Sequence, residues 1–91
     1  MDIVKSKTKN KRLTAVFADG TRTNFGLKGA STYIDGIRTK QERDNYLKRH
    51  KVNENWNNPK TAGALSAGIL WGRSKDINKN INEYKHKFKL N

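Results

Sequence analysis

YLKRHKVNENWNNPKTAGALSAGILW, Tyr46 to Trp71, is the one stretch in which aromatic, aliphatic and small residues gather densely. It holds both tryptophans, Trp56 and Trp71, the only proline, Pro59, and an uncharged run from Thr61 to Trp71. A chain this basic has to build its core here. Pro59 and Lys60 suit a first helical turn, where the missing proline N–H has no intrahelical acceptor to lose. A helix is therefore expected over 59–71, with Ala62, Leu65, Ile69 and Trp71 on its apolar face and Gly72 ending it at the C′ position. Gly63, Ala64, Ala67 and Gly68 would let another backbone approach closely, which makes this the central helix.

The rest of the chain limits what that core can be. The 91 residues form one domain (1–91) with a small core. Lys and Arg number 20 against 8 Asp and Glu, a net charge of +12, which favours polyanionic partners: nucleic acid, acidic protein surfaces or anionic lipid. The absence of cysteine excludes disulfides and thiolate metal sites. MDIVKSKTKNK has no apolar run of signal-peptide length, and no stretch approaches the ~18 apolar residues of a membrane span. An intracellular protein, not a secreted one, is expected.

Upstream, Arg12–Phe17 and Thr21–Leu27 alternate apolar and polar residues around Ala18-Asp19-Gly20. A two-residue Asp-Gly turn would mix Phe17 and Arg22 on one face. A three-residue loop with left-handed Gly20 instead puts Leu13, Ala15, Phe17, Thr23, Phe25 and Leu27 together, so the hairpin (12–27) takes that register. Lys5, Lys7, Lys9 and Lys11 share the parity of Leu13. One unbroken strand would carry four lysines into the core face, so a break is expected near Lys9-Asn10. Residues 1–11 are then a short edge strand, with lysines guarding the edge, or a basic arm.

Downstream of a glycine-punctuated loop, Thr39 and Glu42 form a capping-box pattern that opens a helix over 39–51. Ser74 is the expected cap of a last helix, 75–88, in which Ile77, Ile81, Tyr84 and Phe88 make an apolar stripe. The fold class is α+β: a small antiparallel hairpin or three-stranded meander, then three short helices.

Chemistry is sparse. His50 and His86 have no clustered carboxylate or cysteine, so no metal site is expected. The scattered acids suit turn, cap and surface ion-pair roles, and no nucleophile elbow, zinc motif or phosphate-binding loop occurs. Neither catalytic activity, nor a cofactor, nor a small-molecule substrate is expected. Trp56, Pro59, Leu65, Trp71, Ile77, Ile81, Tyr84 and Phe88 read as core or interface anchors, and burial of either tryptophan would make its loss cost on the order of 3 kcal/mol. Polyanion contact falls to Lys5, Lys7, Lys9, Lys11, Arg12, Arg22, Arg43, Lys48, Arg49, Lys51, Lys85, Lys87 and Lys89. Their dispersion suggests salt-sensitive contact with a backbone rather than readout of sequence.

Five segments then bear on family: F-x-D-G-T-R-T-N-F-G-x-x-G (Phe17 to Gly29), E-R-x-x-Y-L-x-R-H (Glu42 to His50), E-N-W-N-N-P-x-T-A-G-A-L-S (Glu54 to Ser66), I-L-W (Ile69 to Trp71) and I-x-x-Y-K-x-x-F (Ile81 to Phe88). Together they resemble a family of small basic proteins encoded by large nucleocytoplasmic DNA viruses of algae and protists. Ala67 and Gly68 stand where those relatives carry a bulky and basic pair. The resemblance implies a location in the virion, or in the cytoplasm or nucleus of an infected host cell. Two functions are compatible with it: a minor capsid or internal virion component binding acidic capsid subunits, and a sequence-nonspecific DNA- or RNA-binding protein. A single basic stripe on the folded domain would favour nucleic acid; scattered patches would favour assembly.

Overall fold

The computed structural model describes residues 1–90. Three antiparallel strands, β1 (Asp2–Lys5), β2 (Lys11–Val16) and β3 (Arg22–Leu27), form a sheet in the order β1-β2-β3. Three helices follow: α1 (Lys40–Lys51), α2 (Ala62–Leu65, continued by a wider turn over Ser66–Leu70) and α3 (Ile77–Phe88). This is the α+β arrangement expected.

Leu13 pairs with Phe25 and Ala15 with Thr23, the register that segregates apolar from charged side chains. Gly20 closes the loop at φ 87°, and its N–H donates to Phe17 O at 2.9 Å. Only glycine reaches that region without a Cβ penalty. Leu27, expected on the core face, is 61% exposed: it is the last residue of β3 and follows Gly26, which takes a left-handed φ of 78°. β1 pairs with β2, Ile3 opposite Ala15, so residues 2–5 are an edge strand and not a free arm. The chain turns through Thr8, whose carbonyl accepts from Lys11 N, which places Lys7 and Lys9 between the strands while Lys5 ends β1 and Lys11 opens β2.

The core lies between the sheet and α2. It comprises Met1, Ala15, Phe17, Phe25, Leu65, Ile69, Leu70, Trp71 and Tyr84, with Ile77, Ile81 and Phe88 of α3 packed against it. The helix expected over 59–71 starts later. Thr61 is its cap, accepting from Ala64 N at 3.1 Å, and Pro59-Lys60 belong to the preceding turn. It also ends differently. Trp71 N–H reaches back five residues to Ser66 O at 2.9 Å, so the last turn is π-helical.

α3 begins at Ile77 rather than at 75, because Asp76 is the cap and accepts from Asn78 N. Ser74 Oγ instead accepts from Asp76 N, one step earlier. Asn80 of α3 is fully buried. Its amide donates to Ile69 O (2.9 Å) and Ser74 O (2.7 Å) and accepts from Ser74 N (3.0 Å). It thereby satisfies a carbonyl of the π turn and both polar groups of Ser74 in the connection after it.

Gly72 is not a left-handed cap; its φ is not among the positive ones. Any Cβ there would run into Asn80 Cγ, and that close approach is what requires glycine. At Gly68 a Cβ would stand 2.5 Å from the Tyr84 ring, so α3 packs directly on the α2 backbone.

Candidate functional site

The charged surface divides into groups with internal roles and groups without them. Arg12 grips Asp35 through two hydrogen bonds of 2.9 and 2.8 Å, and Asp35 also accepts from Thr32 N at 2.7 Å. The guanidinium holds this carboxyl down at about pKa 2, and the pair ties the loop after β3 to the sheet. Arg43 Nε donates to Trp71 O (3.0 Å) and Gly72 O (2.8 Å), carbonyls left without helical partners where α2 ends. Arg12 and Arg43, two of the expected polyanion contacts, thus both have partners within the fold. Arg38 pairs with Glu42, and Lys60 with Asp19.

The other expected cations remain on the surface. Lys5, Lys7 and Arg22 border a hollow of about 250 Å³ on the outer face of the sheet, with Thr8, Thr14 and Asn24 supplying neutral polar groups. Lys48, Arg49 and Lys51 crowd the last turn of α1, where a helix C-terminus favours cations. Lys85, Lys87 and Lys89 lie at the end of α3. Among the described residues none of these has a carboxylate within 4.0 Å. The first group lies on the sheet face turned away from the core, and the others at the ends of α1 and α3, the latter beside the β1 edge, where the Met1 amino group donates to Leu90 O at 3.2 Å.

A second feature is a cleft of about 200 Å³ between α1, the connector before α2, and α3. Leu47, Trp56 and Phe88 are its apolar walls; Ala64, Ala67 and Gly68 make its floor; Arg73, Glu83 and Lys87 stand at its rim. Trp56 lies outside the core and is half-buried. Its Nε1–H donates to Glu54 Oε2 at 3.3 Å, while Glu54 lies 3.6 Å from His50 and against Gly63, where a Cβ would stand 2.6 Å from its carboxylate. Trp71, by contrast, is a core residue. Its ring stacks on Tyr46 with centroids 4.1 Å apart and planes 5° from parallel. Of the other expected anchors, Leu65 and Tyr84 are buried, and Pro59, Ile77, Ile81 and Phe88 are partly so.

Tyr84 carries a pH dependence. Burial pushes its hydroxyl well above the usual phenol value, and its O–H donates to Pro59 O at 2.8 Å. An unfolded tyrosine ionises near pH ~10. Above that pH the unfolded chain releases a proton the folded chain keeps, so this contribution to stability falls as pH rises. Melting temperatures taken from pH 8 to 11 should therefore decline more steeply in the parent protein than in Tyr84→Phe. Parallel curves would rule out the effect.

Sequence reasoning missed the cleft because it joins residues from four separated segments. Among the described residues there is no cluster of three metal-ligating side chains, and no helix is long and apolar enough to cross a membrane. No curated protein and no solved structure matches the chain. Residues 1–50, the sheet, the loop and most of α1, match the family described as a family of unknown function, DUF5754. That span exceeds half of the 91 residues, and the protein belongs to the DUF5754 family.

Proposed function

We propose that this is a non-enzymatic assembly protein that holds acidic protein surfaces, in the manner of a minor capsid or internal virion component. The observation that carries the reading is the split of its surface cations between the outer sheet face and the helical side, while most carboxylates already have partners within the fold. Cations presented in separate groups can hold more than one acidic neighbour, whereas a nucleic-acid binder concentrates them along one track. The virion setting rests on the sequence resemblance alone.

A second reading, contact with a DNA or RNA backbone, is favoured by one feature. The hollow on the sheet groups three cations with neutral polar side chains, as phosphate contacts require. Fluorescence anisotropy separates the two readings. Labelled poly-glutamate and single- and double-stranded oligonucleotides of similar charge are titrated across a salt series. Assembly predicts that poly-glutamate binds at least as well as any nucleic acid. Preference for one nucleic acid that persists at physiological salt, with poly-glutamate failing to compete, would establish the second reading instead.

A further inference from the structure

We infer that the cleft between α1, the connector and α3 is a socket for one apolar side chain of an acidic peptide segment, with Arg73 and Lys87 taking carboxylates on either side of it. The inference deepens the assembly reading and rests on it.

The cleft's depth comes from missing side chains. Ala64, Ala67 and Gly68 form the floor, and Leu47, Trp56 and Phe88 rise around it. Its volume of about 200 Å³ suits one side chain and lies below the ~300 Å³ at which small-molecule sites usually begin. Trp56 is the aromatic side chain left to receive a ligand. Trp71 and Tyr46 cover each other, and Tyr84 leans on Phe88 with centroids 4.8 Å apart. The indole N–H already has Glu54, so the ring turns an apolar surface to the cleft without a polar atom needing a partner.

The rim supplies charge complementarity. Arg73 and Lys87 are exposed, and neither has a carboxylate within 4.0 Å among the described residues. Carboxylates flanking an apolar anchor would gain two cations at once. Two features favour a peptide over a nucleic acid strand. Sequence-tolerant strand binding uses successive aromatic faces along a groove, whereas in this cleft Tyr84 and Phe88 lean on each other and Trp56 is the one ring without an aromatic neighbour. A strand carries a charge on every phosphate and offers Glu83 at the rim no backbone donor, whereas a peptide can set its carboxylates at Arg73 and Lys87 and turn a backbone N–H to Glu83.

The test uses the whole protein and three labelled probes: a short peptide of Asp and Glu with one central leucine, the same peptide with serine at that place, and an oligonucleotide of equal charge. The leucine peptide is expected to bind about tenfold more tightly than the serine peptide, from burial of one apolar side chain. Trp56→Ala should bring the leucine peptide down to the serine peptide's affinity. If the two peptides bind the parent protein alike, charge alone governs binding: the socket is overturned and the assembly reading stands. If the oligonucleotide binds and neither peptide does, both are overturned. A leucine preference that survives Trp56→Ala would also overturn the socket, since it would place the anchor elsewhere.

Discussion

Trp71→Ala is expected to lower stability by about 3–5 kcal/mol, the usual cost of truncating a buried aromatic side chain. In a domain of this size that corresponds to a fall in melting temperature of roughly 15 °C or more. The damage should be uneven. α1 has no buried residue of its own and depends on Tyr46 stacked on Trp71, Leu47 beside the core, and Arg43 bonded to the Trp71 and Gly72 carbonyls. Losing the indole removes the first contact and frees the backbone that the third requires. Hydrogen exchange should show α1 amides unprotected in the variant while those of β2 and β3 stay slow. The same substitution at Trp56, outside the core, is expected to cost much less. Equal effects at the two positions would contradict this division.

Asn80→Leu is the second large effect. The replacement is close in size and keeps the helix, but it abandons Ile69 O in a buried setting and Ser74 O and Ser74 N in a half-buried one. Each unsatisfied group costs about 1–3 kcal/mol, so a total on the order of 3–5 kcal/mol is expected even though an apolar residue has entered the core. Asn80→Asp keeps the acceptor, loses both donations and aims a carboxylate at two carbonyls, so it should be worse at neutral pH than in mild acid. Urea denaturation at the two pH values checks both variants. A midpoint for Asn80→Leu near that of the parent would show that packing, not hydrogen bonding, governs this position.

Asn80 also shows where sequence stops being legible. It lies three residues after Ile77 and four before Tyr84, inside the apolar arc of α3, so its burial could have been read from the spacing. Its partners could not, because they belong to the irregular π turn and to the connection that follows it. The hairpin register was readable because one face had to be apolar and a slip by one residue would have reversed it. The Thr39 cap was readable because capping is local; Glu42 N donates to its hydroxyl at 3.1 Å. The starts of α2 and α3 moved inward because Thr61 and Asp76 outcompeted Pro59 and Ser74 as entry points. Arg12 and Arg43 read like the other cations, since whether an arginine faces solvent or a carbonyl is decided by elements far along the chain. The cleft was hidden for the same reason, although Trp56, one of its walls, had been singled out.

The π turn over Ser66–Leu70 has one further consequence. It closes over one more residue than an ordinary helical turn, and each residue is worth about 100° of rotation about the axis. Wound normally from Ser66, the chain would present Trp71 about a quarter-turn away from Tyr46 and draw Gly72 off Asn80. The residue count in this turn is thus an angular setting for the aromatic anchor. Adding or removing a residue there changes a direction rather than a chemistry, and the helix that leans on Trp71 follows it.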